Sequence, residues 1–537
     1  MPGSRTLRNA NAEDDKSGTI QISCRARNGD FGFRLIGLLL RDFGDPRRVI
    51  SWFFRMKTLV AFVAFSAFAA DIPRVWEQSA IDTLELPLAI RDFSPLHIGE
   101  DAYYRIPERV IYKSYPVYAP GRGPKGYAEW LRTVEPEVAF DPSRLTNQEQ
   151  WTAAGEIVFK APTSLNPVFF SAKNLRDPAF FERTGMPVAR DGTIPFARWV
   201  VRRRGLVELG SMGCNTCHTR VLEDGTVVPG AQGNNPNDRE GALLLRTSAK
   251  VIGTEKLLAQ VRSFARQFEL PWLPDDINRL TRSMNLDQLI AAGEAIPPGV
   301  TARANTSMLL PPQIPDLIGV RDRRFLDHTG LIRHRSIGDL MRYSSLAQDV
   351  FSSDRYGAAN FESPPVPESR YSDAQLYALA LYLYSLRPPP NPNAFSVSAK
   401  RGSVLFTREK CANCHTPPLY TNNQLIAADD FQPPADASDV LPVRIGVDPR
   451  YALQTHKGTG YYKVPSLRGV WCRGPFGHSG SAATLEDWFD PARLDPGYVP
   501  SGFKGYDGKT RSIPGHTFGL RLRLSERKDL IAFLRTL

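Results

Sequence analysis

The chain has 537 residues, with 67 Lys and Arg against 56 Asp and Glu for a formal charge of +11, long enough for two or three domains with their own cores. Its basic triple, Arg202-Arg203-Arg204, stands alone, so it reads as a solvated turn and no nucleic-acid footprint is expected. A mildly basic surface better suits the steering of a small acidic redox protein.

In chain order, the first feature is out of place. Arg55 to Ala70 has a basic start, a short apolar run and a small-x-small exit at Ala67 and Ala69, the pattern of a secretory signal peptide. Translation is therefore expected to begin at Met56, with residues 1–55 a mis-called start and 56–70 the signal. A membrane anchor is the alternative, but the run is shorter than the roughly 20 residues a spanning helix needs. Residues 1–70 carry eleven Lys and Arg and six Asp and Glu, so the mature chain keeps about +6. Residues 71–145 are rich in Tyr and Pro without a long amphipathic period. They read as an irregular extension wrapped on the first domain.

The stretch Ile194 to Val207 is β-prone, and Asp224-Gly225 separates Val221-Leu222 from Val227-Val228 as a hairpin would. A small β-ribbon is expected there. Inside it lies Cys214-Asn215-Thr216-Cys217-His218, and Cys411-Ala412-Asn413-Cys414-His415 repeats the pattern. Two thiols three residues apart each form a thioether to one haem edge, while the next histidine swings beneath the ring to ligate iron. Zinc would want four ligands in a closed tetrahedron, and only Cys24 and Cys472 remain outside the motifs. Two covalent haem c groups are thus expected, ahead of zinc, disulfide or thiol chemistry. Thioether attachment places the protein on the far side of the cytoplasmic membrane, in the periplasm, without a stable span in the mature chain.

Residues 315–330 align without gaps on 465–480, with seven of sixteen positions identical, including His328 with His478 and Gly330 with Gly480. A short helix is expected after each copy, through Ser336–Leu340 and Thr484–Trp488. Ser372-Asp373 opens an apolar run to Leu386 that Pro388 ends, and Ser525-Glu526 opens a matching run to Leu537. The expected organisation is mainly α: two tandem cytochrome c-like haem domains, 146–387 and 394–537, joined by a linker at 388–393, with the β-ribbon and the irregular N-terminal extension.

Two haem motifs, each followed by P-x-L-x-G-V and a His-x-Gly segment, resemble the bacterial di-haem cytochrome c peroxidase superfamily, which includes peroxidases, the enzyme that matures a tryptophylquinone cofactor and the di-haem rubber oxygenases. The resemblance covers roughly residues 145–537 and is strongest from Gly460 to Val470 and on through His478-Ser479-Gly480. It implies one haem with an open position that meets peroxide or dioxygen and another, closed by two protein ligands, that relays electrons from a small cytochrome or cupredoxin. A non-catalytic electron carrier is the alternative. In some relatives a calcium ion lies between the domains.

The resemblance makes His218 and His415 the proximal ligands. Peroxidases of this type close the second haem with methionine, but the last methionine here is Met341. His456, His478, His516 and the Tyr461-Tyr462 pair are the candidates, and His516, in Gly515-His516-Thr517-Phe518-Gly519, looks like the ligand of the rubber oxygenases. Imidazole in place of thioether lowers the reduction potential. Near the first haem, Asp339 falls where the peroxidases carry a catalytic glutamate and is a candidate general base and acid, against a cap or ion-pair role. His328 and His334 are candidates for the open face, against hydrogen bonds to backbone or propionates. Trp199 and Trp471 are candidate electron bridges, Arg321, Arg323, Arg324 and Arg473 candidate propionate partners, and Cys472 a buried inert thiol.

Overall fold

Two helix crossings organise the chain. In this computed structural model, which describes residues 71–537 except 91–96, 166–168, 304–305, 350–365 and 509–510, α1 (Gln148–Lys160) packs across α3 (Asp373–Ser385), and α4 (Val397–Arg408) across α5 (Leu524–Leu534). The expected start at Met56 and the signal segment lie outside the described residues. Each crossing is made close by a glycine. A Cβ on Gly155 would stand 2.0 Å from the Ala378 carbonyl oxygen, and one on Gly402 would stand 2.0 Å from that of Asp529. Helix exceeds strand among the described residues, and apart from Thr193–Arg203 the strands run to five residues or fewer in small sheets.

The helix starts obey local chemistry. Asn147 and Ser396 accept from the backbone amides of Gln150 and Ala399, and Ser372 forms a reciprocal pair with Gln375. α5 departs from expectation: it begins at Leu524, one residue before Ser525, and Glu526 reaches back to the Arg523 amide. α2 (Ile337–Gln348) follows the first histidine segment, and a single-turn helix, Leu485–Trp488, follows the second.

The β-ribbon is a three-stranded antiparallel sheet, β1 (Ser114–Tyr118), β2 (Thr193–Arg203) and β3 (Leu206–Gly210), with the N-terminal extension supplying its edge. β4 (Thr219–Val221) and β5 (Val227–Pro229) form the hairpin around Gly225, whose φ is +81°. β6 (Phe325–Leu326) and β7 (Ile332–Arg333) bracket the first histidine segment. β8 (Leu425–Ala427), β9 (Val440–Leu441) and β10 (Tyr461–Lys463) make a second three-stranded sheet that the sequence did not signal. Arg202 and Arg204, at the β2–β3 turn, pair with Glu208 and Glu135, as a solvated turn requires.

The extension is less irregular than expected. Trp76 stacks on Tyr103 at 4.3 Å, both fully buried, and the Tyr103 hydroxyl meets Ser345 Oγ of α2 at 2.7 Å. These rings join the hydrophobic cluster that contains α1 and α3. Residues 71–537 form one compact unit, and none of the described helices is long and apolar enough to cross a membrane.

Candidate functional site

The repeated segment has a mechanical meaning. In each half its first residue, a proline, turns its carbonyl onto the histidine of the motif: His218 Nδ1 lies 3.0 Å from Pro315 O, and His415 Nδ1 lies 3.1 Å from Pro465 O and 3.2 Å from Tyr420 O. A carbonyl accepts, so each Nδ1 carries the proton and each Nε2 is left as a lone-pair donor for a metal. The repeated glycines hold the same left-handed turns, with φ of +71° at Gly319 and +72° at Gly469, then +66° at Gly330 and +65° at Gly480. Arg323 and Arg473 are matched too. Arg323 donates to the carbonyls of Asp316 and Ile318, and Arg473 to those of Ser466 and Arg468, the equivalent positions.

Around the second motif a cavity of about 260 Å³ is lined by Cys411, Cys414 and His415 on one side and His516, Trp488 and Phe518 on another. The His415 and His516 ring centroids are 6.4 Å apart. A histidine nitrogen sits about 2.0–2.1 Å from a transition metal and about 1.1 Å from its own ring centre, so two imidazoles facing one ion have centroids about 6.3 Å apart. His516 Nδ1 is buried without a hydrogen-bond partner. The cavity and donor set therefore fit a haem held by Cys411 and Cys414, with His415 below and His516 above.

His516 occupies this place under constraint. Its backbone is left-handed at φ +44° and its amide donates to Ile445 O. The fully buried Arg493 donates to the carbonyls of Trp488, Ile513, Gly515 and His516, and stacks over the Trp488 ring at 4.8 Å. Burial, then the nearby His415 and Arg493, pulls the imidazole down to about 3, so it stays neutral and able to ligate.

Of the other candidates for that position, Tyr462 and His478 line the same cavity but are stacked on each other, and His456 is outside its lining. His478 stacks flat on Tyr462 at 3.7 Å, and the Tyr462 hydroxyl donates to Asp448 O. His456 is fully buried against Thr306 O and the Trp272 ring.

The first motif is a short helix, Cys214–Cys217, tied to β2 by its two central residues: Asn215 donates to Pro195 O and Thr216 to Phe196 O. Burial raises the Cys214 thiol to about 12 and, with Arg303 nearby, lowers His218 to about 4. The motif supplies two thiols and a neutral imidazole, the donors a covalent haem would use. Among the described residues, no imidazole makes a ring contact with His218 like the one His516 makes with His415.

Asp339 sits in the first turn of α2, 2% exposed, in ion pairs with Arg335 at 2.9 Å and Arg342 at 3.4 Å and accepting from the Arg335 amide. Burial raises its pKa, but the Arg335 bonds outweigh this and hold it below the ordinary value. That is the geometry of a helix anchor. His328 lines the second cavity, with its Nε2 2.6 Å from Gln313 O, which is the backbone-bonding alternative. His334 lies between Arg323 O and the Tyr384 hydroxyl.

Trp199 packs with the β-ribbon cluster. Cys472 is buried, its Sγ bonded to Gly469 O. For calcium, no cluster of three or more His, Cys, Asp or Glu side chains able to hold a metal ion occurs among the described residues.

Several functional residues carried little sequence signal. Pro315 and Pro465 were visible only as repeat members, and Gly155 and Gly402 only as small residues inside helices. Glu240, in the first turn of Asn237–Ile252, is fully buried with Oε1 unpartnered, as is Asn235 Oδ1. Burial lifts Glu240 to about 8 and Asp238 to about 7.

No protein-family profile matches the chain. It is 31% identical over 156 residues to the methylamine utilization protein MauG of Methylorubrum extorquens, covering 27% of this chain and 36% of that protein. It is 30% identical over 165 residues to the cytochrome-c peroxidase IdrP1 of Denitromonas iodatirespirans, covering 27% and 41%. The chain thus spans well under half the length of either relative. Among solved structures it resembles Kuenenia stuttgartiensis hydrazine synthase (20% identity, 46% of this chain and 79% of that one, TM-score 0.27) and a MauG-like protein associated with microbial copper homeostasis (18%, 42% and 73%, TM-score 0.26), scores too low to bear on the fold. The two sequence matches, with the paired motifs and the doubled histidine anchors, make the chain a relative of the bacterial di-haem cytochrome c peroxidase superfamily.

Proposed function

We propose that the protein is an exported di-haem c-type cytochrome oxidoreductase, with tandem haem-bearing halves, in which the His218 haem meets peroxide or dioxygen and the His415 haem relays electrons. The observation that carries this reading is the asymmetry between the motifs. His415 faces a second imidazole at the separation that one iron needs, whereas His218 has no such partner among the described residues. A bound haem supplies redox chemistry and, where one axial position is open, a seat for a small oxygen ligand.

The chain's own residues do the rest. Pro315 and Pro465 fix the proton on Nδ1 of each proximal histidine, which keeps Nε2 basic and oriented. Arg493 and Trp488 hold His516 against exchange, so the second site stays closed to substrate. Periplasmic location follows from segment 56–70 and from the need to attach haem after export. A small cytochrome or cupredoxin is the expected electron partner. The bonded positions of Asp339 and His328 suit anchoring and backbone pairing rather than proton transfer.

Spectra of the haem-loaded protein test this reading. One low-spin and one high-spin ferric signal are expected, with a rapid change of the high-spin component on adding peroxide, or carbon monoxide after reduction. Two low-spin signals inert to both ligands in both redox states would establish the pure electron carrier instead. Consumption of peroxide with a reduced cytochrome, or of oxygen with an organic substrate, then separates peroxidase from oxygenase.

A further inference from the structure

The seam where the two repeat segments meet is closed by backbone bonds and by ion pairs. The Gln313 amide donates to His478 O, the Lys463 amide to His328 O, the Thr329 hydroxyl to Lys457 O and the Thr459 hydroxyl to Thr329 O. Two carboxylates are buried there, and both are already matched. Asp316 pairs with Arg323 at 2.8 Å and Arg473 at 3.1 Å, and Asp327 pairs with Lys457 and accepts from the Tyr343 hydroxyl.

One cation is left over. Lys463 lines the cavity of the second motif, yet its ammonium makes no hydrogen bond or ion pair with any described residue. Its neighbours do not compensate it: Arg323 and Arg473 crowd it, while Asp316 and Asp327 are spent on other partners. Burial and Arg323 first, against Asp327 and Asp316, draw the ammonium down to about 7, the response of a buried charge that lacks its counter-ion. The two arginines on this wall use their forks on Asp316 and on turn carbonyls. Arg323 and Arg473 thus serve as turn clamps, and Lys463 is the cation on this wall with no such engagement.

We propose that Lys463 binds a carboxylate of the second haem and supplies the counter-charge that carboxylate needs at this seam. The haem edge opposite the thioethers at Cys411 and Cys414 carries two carboxylates, and the wall formed by Lys463, Arg323 and Arg473 offers three positive charges against the single negative charge of Asp316. A carboxylate unpaired in this site favours the ferric state, and the ammonium opposes it, so Lys463 raises the potential of the second haem.

This inference rests on the haem reading above, and its test separates the two. Haem-loaded wild type, K463M and K463R are titrated by spectroelectrochemistry, following the low-spin haem. K463M is expected to shift that potential downward while the first haem stays put, and K463R to retain most of the wild-type value. An unshifted K463M, or a K463R that falls as far as K463M, overturns the inference with the haem reading intact. If K463M does not accumulate, K463Q takes its place as the charge-removing variant against K463R. Protein without covalent haem would instead overturn the underlying reading.

Discussion

The two halves share a frame and differ in what the frame leaves open. In both, a glycine crossing, a proline carbonyl and an arginine-clamped turn set the proximal histidine to within 0.1 Å of the same hydrogen-bond length. The first motif is pinned to β2 by Asn215 and Thr216. The second carries Ala412 and Asn413 there, begins after Lys410 at φ +63°, and faces a loop held by Arg493 that brings in His516. On the proposed reading, duplicated residues would hold one side of each haem site, and unduplicated loops make the difference on the other.

The largest expected effect removes one side of the comparison. Replacing Cys411 and Cys414 together with alanine should halve the covalent haem measured by pyridine haemochrome and abolish the low-spin signal alone. Next, His516→Ala should turn the second haem high-spin and ligand-reactive. The Arg493→Met variant should do so partially, because its four carbonyl bonds hold the loop. If His516→Ala leaves the low-spin spectrum intact, another residue closes that haem.

The crossings offer a stability test of the duplication. Gly155→Ala and Gly402→Ala each force a methyl into a facing carbonyl, beyond the roughly 1–3 kcal/mol of ordinary overpacking. Both should lower the urea midpoint by similar amounts, and a large difference would break the equivalence of the halves. The smallest effect concerns Glu240, which has no counterpart in the second half. Its pKa is raised from 4.5 to about 8 in the folded chain, so the unfolded chain ionises first and stability falls as pH rises from about 4.5 towards 8. Glu240→Gln should lessen that slope, leaving the part that Asp238, raised to about 7, contributes, and exceed wild type in stability at pH 8, as read by denaturant melts at pH 5 and pH 8.

Sequence exposed the parts whose chemistry is local or repeated. The two motifs, the 315–330 and 465–480 segments and the closing helices are each legible because spacing alone dictates ligation, turn or amphipathic face. His516 was reachable only through resemblance, and its facing of His415 depends on an Arg493 whose bonds span twenty-odd residues. The alternatives open for Asp339 and for the arginines share a cause: a charged residue near a cofactor motif has the same sequence appearance whether it faces the cofactor or ties down a turn. β8–β10 went unsignalled because their strands are two or three residues long and pair across distant loops.

The helix crossings also set an order of events. In each half the glycine-bearing helix emerges before the haem motif and its crossing partner only afterwards, so the half cannot seal until its last helix has been delivered. Sealing then buries the thiols and pushes Cys214 and Cys411 up to about 12 and 11, which quenches their nucleophilicity. The architecture therefore grants the attachment machinery a window that opens as each motif appears and closes when α3 or α5 docks, with the first half's window shutting before the second half is complete.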